Sequence, residues 1–193
     1  MKTMTPQEAL SALIEGNQRY LKDKSTLIDA ICARSKEGLE TPNPIACLLT
    51  CSDSRIPPQI FFDRALGDLF IIRVAGGSLD ELVLSTIAFG VFDLKTPLIL
   101  VMGHTRCGAI KAAIDGDQRP HIQPLIKLMA PAMERAKTRT GDLWLNVAEE
   151  NALEIASRLK SPEQSFAPLI QEGKLAVRSA LYHLETGEVT LLD

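Results

Sequence analysis

The chain lacks much of what several protein classes require. Nowhere in its 193 residues do eighteen uncharged apolar residues run together, so no segment is long enough to span a bilayer as a helix. Four cysteines are too few for a disulfide scaffold, and reduced thiols or metal ligands fit them better. Positive charge is not in excess: 21 Lys and Arg against 24 Asp and Glu leave a net charge of -3. That balance gives no overall attraction to nucleic acid or to an anionic membrane. The opening stretch MKTMTPQEALSALIEGNQRY carries Glu8 and Glu15 where a secretory leader has an unbroken apolar region, so a cytoplasmic location is expected. There is no Cys-x-x-Cys, which argues against a thioredoxin-like couple. A Walker-type phosphate loop, repeats, low-complexity tracts and linkers are missing as well.

What is present points to one α/β domain over residues 1–193. With 46% hydrophobic residues, a chain of this length can bury a core of its own. Three apolar runs, IACLLT (45–50), DLFIIRVA (68–75) and PLILVM (97–102), read as strands buried on both faces. Between the last two lies SLDELVLSTIAFGVFDL (78–94), a helix apolar around much of its circumference, which implies cover from its own domain or a second subunit. Strand, helix, strand in that order predicts parallel crossover units. Thr5, Pro6 and Glu8 predict the capped start of an N-terminal helix over 5–21, with Gly16 weakening its middle. Residues 22–43 suggest a short helix and a proline-punctuated loop. Further helices are predicted from Gly108 to near Gly116, over 123–140 and over 142–160. Two strand-like runs around a Thr186–Gly187 turn close the chain.

In parallel α/β sheets, ligands bind outside the carboxyl ends of the strands. Cys51 follows one such strand, and His104 and Cys107 follow another, so neighbouring strands would bring all three to one edge. Two thiolates and an imidazole suit Zn²⁺, and three protein ligands with a fourth position open is the catalytic pattern. Cys32 and Cys47 read as small buried hydrophobes. On a single strand, Cys47 and Cys51 would lie about 13 Å apart, too far for a disulfide. A metal-free reading, with His104 as base to a Cys51 or Cys107 nucleophile, also fits the residue types. Asp53 and Arg55 share the Cys51 loop. They could form a loop-bracing ion pair of little weight, or stand beside the metal, with Asp53 orienting the reacting water and Arg55 keeping it ionised. Swung inward, Asp53 could become a fourth ligand and close the site.

CSDSR (51–55) followed by GHTRCGA (103–109) resembles the zinc signature of the β-class carbonic anhydrases, and the similarity runs through PQEALSALIEGNQRYL, GDLFIIRVAGG and LYHLETGEVTLL. The resemblance implies a mostly parallel central sheet with flanking helices and an antiparallel C-terminal edge strand. It also implies a homodimer or homotetramer in which the N-terminal helical arm (1–40) packs on a partner subunit. Carried over residue by residue, it makes Cys51, His104 and Cys107 the zinc ligands, Asp53 and Arg55 the catalytic dyad, and the Gly108 N–H a substrate donor. The implied activity is that of a zinc lyase, hydrating carbon dioxide reversibly to bicarbonate and a proton through zinc hydroxide. Relatives acting on carbonyl sulfide or carbon disulfide give one alternative, and a non-catalytic zinc module closed by Asp53 gives another. Three positions depart from the family pattern. Pro42 stands where many members have a substrate-binding Gln, leaving Asn43 or a water to substitute. Gly77 replaces an Asn. Leu48 takes the Trp position of an inhibitory bicarbonate site for which Arg73 and Tyr182 are matches. His121 and His183 have no evident partner, and Trp144 reads as a packing residue.

Overall fold

The computed structural model describes residues 4–26 and 42–193. The apolar runs form β1 (Ala46–Cys51), β2 (Leu69–Val74) and β3 (Leu98–His104), and the C-terminal runs form β4 (Ala176–Tyr182) and β5 (Val189–Leu191). They lie in the order β2-β1-β3-β4-β5. The first four are mutually parallel, and β5 is antiparallel on β4. This is the expected mostly parallel sheet with an antiparallel C-terminal edge strand. The turn before β5 closes at Gly187, whose positive φ of 77° suits a residue without Cβ.

Strand alternation sorts the side chains into two layers. Cys47 and Leu49 of β1, Ile99 and Val101 of β3 and Val177 of β4 share one apolar cluster. Helix α3 (Glu81–Phe92) covers it with Val83, Ile87 and Val91, and α6 (Leu143–Lys160) with Ala152, Ile155 and Leu159. Leu48, Leu100 and Ala180 belong to the opposite face, under α1 (Pro6–Leu21) and the single turn α2 (Pro58–Phe61). A third cluster, joining α4 (Gly108–Ile114), α5 (Gln123–Ala136) and α6, lies beside Cys51 and Cys107. Cys47 is the small buried hydrophobe expected, with burial pushing its thiol up to about 12. Leu82 and Phe89 of α3 remain 76% and 50% exposed, so this helix is covered on one side only within the described residues.

Several boundaries differ from the sequence reading. Cys51 is itself the last residue of β1, and α5 ends at Ala136 rather than running on to Thr140. The one-turn helices α2 and α7 (Ala167–Gln171) escaped the reading because four or five residues show no helical period. The helix expected within 22–43 falls largely on residues outside those described, as does Cys32.

The N-terminal helix starts as its sequence requires. The Thr5 hydroxyl accepts from the Glu8 N–H at 3.2 Å, and the Glu8 carboxylate accepts from the Thr5 N–H at 2.7 Å. Leu10 and Leu13 are buried, each contributing about 2 kcal/mol. Asn17 ties α1 to two distant segments, donating to the Phe61 and Gly187 carbonyls and accepting from the Val189 N–H. This approach depends on Gly16, where a Cβ would lie 1.8 Å from the Phe62 carbonyl oxygen. Helix propensity alone predicts that Gly16→Ala stabilises the protein by about 1 kcal/mol. The contact predicts the opposite sign, a loss of about 2 kcal/mol or more from overpacking against backbone, measurable by urea denaturation.

Candidate metal centre

Cys51 ends β1 and His104 ends β3, and these strands are parallel neighbours. They also flank the switch point of the sheet: the chain passes from β1 to β2 on one side and from β3 to β4 on the other. Crevices at such points, outside the carboxyl ends of the strands, are where α/β sheets bind ligands. Beyond His104 the chain reverses at Arg106, whose φ is 58°, and delivers Cys107 as the N-cap of α4.

The three ligand atoms lie within 4.8 Å of one another. Cys51, His104 and Cys107 are 6%, 1% and 1% exposed. The two Sγ atoms are 3.9 Å apart, far beyond the ~2.05 Å of a disulfide. Two thiolates on one tetrahedral zinc, with bonds of about 2.3 Å, would be separated by about 3.8 Å. His104 Nδ1 lies 2.8 Å from the Thr105 carbonyl oxygen. That oxygen can only accept, so Nδ1 carries the proton and, in the neutral ring, Nε2 presents a bare lone pair. Nε2 is buried and has no hydrogen-bond partner among the described residues. An orphaned buried nitrogen is costly, and a cation beside it removes the cost.

The thiols make the same demand. Cys51 is pulled down by the hydrogen bond it shares with Cys107 and, against the effect of burial, by the backbone N–H groups of Asp53 and Gly76. Cys107 is pushed up by that shared bond, by burial and by the charge on Cys51. One thiolate forms readily here, whereas two require a cation between them. Softness, number and geometry of the donors therefore fit a zinc ion.

Asp53 and Arg55 face each other as a fork. Arg55 Nε and Nη2 donate to Asp53 Oδ1 and Oδ2 at 2.9 and 2.7 Å, and the Arg55 backbone N–H donates to Oδ1 at 2.9 Å. The guanidinium holds the Asp53 carboxyl well below the usual carboxylate range. Arg55 also donates to the Arg106 carbonyl at 3.2 Å, linking the dyad loop to the ligand loop. Arg73 clamps the dyad loop from β2, donating to the Cys51 and Asp53 carbonyls. Gly108 opens α4, and a Cβ there would meet nothing within 4 Å.

The positions noted as departures can now be located. Pro42 and Asn43 are both exposed. Gly77 takes a φ of 63°, a left-handed conformation that glycine adopts freely. Leu48 is fully buried, Tyr182 stacks on Phe61 at 4.2 Å and Arg73 is engaged as above. His183 Nε2 lies 3.0 Å from the Thr190 hydroxyl, His121 is exposed, and neither belongs to the ligand cluster. The sequence reading missed two residues of α6. Trp144 is more than a packing residue, because its indole N–H donates to the Cys107 carbonyl at 2.9 Å. Asn151 donates to the Gly76 carbonyl at 3.0 Å. Their spacing of seven on one helix was the available signal, but it carries meaning only once α6 is known to pass the site.

Comparison with known proteins agrees with this geometry. Residues 46–189 match the family model described as carbonic anhydrase. A carbonic anhydrase of Mycolicibacterium smegmatis is 30% identical over 99% of this chain and 95% of its own length. Carbonic anhydrase 2 of Mycobacterium tuberculosis is 31% identical over 100% of this chain and 96% of its own. Among solved structures, the Coccomyxa β-carbonic anhydrase in complex with acetazolamide superposes with a TM-score of 0.73 at 26% identity, covering 95% of this chain and 86% of that one. With kinship of that length and two thiols and an imidazole meeting at the switch point of its sheet, the chain belongs to the β-class carbonic anhydrase family.

Proposed function

We propose that this protein catalyses the reversible hydration of carbon dioxide to bicarbonate and a proton at a zinc ion held by Cys51, His104 and Cys107. The observation that carries the reading is the buried His104 Nε2, without a hydrogen-bond partner among the described residues, beside two sulfurs that form no disulfide. When bound, zinc supplies a Lewis acid that brings the deprotonation of water within reach of neutral pH.

The chain's own residues do the rest. A carboxylate offers about four acceptor sites. Arg55 occupies three of those on Asp53, two at Oδ1 and one at Oδ2. Among the described residues nothing occupies the remaining site on Oδ2, which accepts from the reacting water and orients it. Because Arg55 depresses its basicity, Asp53 stays a hydrogen-bond acceptor instead of retaining the proton, which passes on to solvent. The same fork opposes closure of the site, since Asp53 would have to give up a charge-assisted bidentate pair to become a ligand. Gly108 serves the substrate in two ways. Its lack of a side chain leaves space, and as the first residue of α4 its N–H has no intrahelical acceptor and is available to a substrate oxygen.

The protein acts as a homo-oligomer, a dimer or tetramer, and the exposed Leu82 and Phe89 of α3 support a subunit contact there. Helix α1 spends Ala9, Leu10 and Leu13 on its own chain, so a partner would meet its outer face; residues 27–40 of the arm lie outside those described. No helix among the described residues is long and apolar enough to cross a membrane. The reading places the protein in the cytoplasm, where thiols remain reduced.

Purified protein should carry one zinc per chain by elemental analysis, and Cys51→Ser should lose both zinc and activity. Stopped-flow hydration of carbon dioxide should rise with pH from about 6.5 to 9, because the reacting water must lose a proton and the two thiolates weaken the ion's acidifying charge. Full zinc with no hydration anywhere in that range would sink the assignment. Arg55→Ala should keep its zinc and lower kcat/KM by about 10- to 100-fold, through an Asp53 that is no longer held in place.

A further inference from the structure

Helix α6 passes directly behind the metal centre. At Gly103, one residue before His104, a Cβ would lie 2.8 Å from the Ala148 carbonyl oxygen. From there α6 sends out Trp144 and Asn151, seven residues apart and so about two turns along one face. Each reaches the loop that controls a different sulfur. Trp144 Nε1 donates to the carbonyl of Cys107 itself. Asn151 Nδ2 donates to the Gly76 carbonyl, and the Gly76 N–H in turn donates to Cys51 Sγ at 3.3 Å.

Both gripped loops contain a left-handed residue. Gly76 has φ 68°, and Arg106, just before Cys107, has φ 58°. Glycine adopts this conformation freely, whereas a non-glycine residue such as Arg106 keeps it where surrounding contacts over-determine it. The Arg106 guanidinium lies 5.5 Å over the Trp144 ring and pairs with Glu185 at 3.5 Å, while Thr105 donates to Glu185 at 2.7 Å. The Ala75–Gly77 turn has no long side chain of its own to brace it, and the Asn151 amide supplies the brace. Asn151 is buried, so its amide has no ready exchange with solvent.

We propose that Trp144 and Asn151 are positioning residues for the metal, which hold both thiolate ligands in place from one helix through the carbonyls of Cys107 and Gly76. Trp144 sets the backbone from which Cys107 reaches the ion. Asn151 anchors Gly76 through its carbonyl, on the far side of the same Cα from the N–H that stays on the Cys51 sulfur and helps to carry the thiolate charge. The inference deepens the metal reading above and rests on it. Trp144 stands one hydrogen bond from a ligand residue and Asn151 two, and hydrogen-bonded partners behind metal ligands typically govern metal affinity or activity by 10- to 100-fold.

The test uses full-length protein, with zinc and cobalt(II) as probes. Trp144→Phe keeps an aromatic face beneath Arg106, smaller than the indole, and has no N–H to donate, while Asn151→Ala removes the amide. Ile155→Val is the control, loosening the same helix in the apolar cluster on the sheet without touching either loop. Zinc transfer to a chromogenic chelator is followed in each, together with the sulfur-to-cobalt charge-transfer band of the cobalt protein. We expect zinc release about 10-fold faster or more in the first two, with a shifted cobalt band, and wild-type behaviour in the control. Wild-type release and an unchanged band in Trp144→Phe and Asn151→Ala overturn the inference and leave the metal reading standing. So does acceleration in all three that merely tracks their loss of unfolding midpoint. Should Asn151→Ala not fold, Trp144→Phe decides alone, by faster release for the inference or by wild-type release against it. Wild-type protein that takes up neither metal overturns the metal reading and this inference with it.

Discussion

Parallel pairing of β1 with β3, in a register that sets Thr50 opposite Met102, leaves Cys51 one residue and His104 two residues beyond that pair. The rest of the centre depends on this register. A one-residue slip would turn every side chain of β1 to the other face, exchanging Cys47 and Leu49 for Leu48 and Thr50 against α3 and α6. Because both faces of the sheet are covered by helices, such a slip buries the wrong set and is disfavoured throughout the core. Thr50 adds a specific lock, its hydroxyl donating to the Met102 carbonyl at 3.0 Å. The packing that stabilises the fold and the placement of the ligands are therefore one and the same constraint.

Electrostatics then restrict what the site can hold. Two thiols and an imidazole, each nearly removed from water, cannot all adopt the states a metal requires unless positive charge is added. Arg55 covers Asp53 with a fork, and Arg73 spends its donors on the Cys51 and Asp53 carbonyls instead of on a carboxylate. Three arginines thus surround the loops: Arg55 and Arg73 clamp the Asp53 side, and Arg106 caps the Cys107 side over Trp144. They act as loop ties as much as sources of charge.

Behind the ligands stands α6, an element whose contribution comes from distance in sequence. Its apolar residues Ala152, Ile155 and Leu159 pack on the sheet, while Val147 and Ala148 line the cluster beside the cysteines. The same helix supplies Trp144 and Asn151 to the two ligand loops. Rigid packing and fine positioning are combined in one element, which suits a site whose geometry must be held closely.

Short stretches of the chain were enough to establish the local chemistry and the broad architecture. Near-continuous apolar runs fixed β1, β2 and β3 as parallel strands, fully buried in β1 and nearly so in β3, but only half-buried in β2, which the strand order leaves at the sheet edge. The Thr5–Glu8 box fixed the start of α1, and the placement of Cys51, His104 and Cys107 at and just beyond strand ends fixed the donor set. Each of these is a short-range property, written in neighbouring residues and their spacing. Tertiary structure alone decided the strand order that makes β1 and β3 neighbours, and the contact that makes Gly16 a requirement instead of a weakness. It also decided the use of Trp144 and Asn151, which lie 37 residues from Cys107 and 75 from Gly76. No local pattern encodes which carbonyl a distant amide will meet. That pairing exists only after the sheet has folded and α6 has been pressed against the glycine at the end of β3.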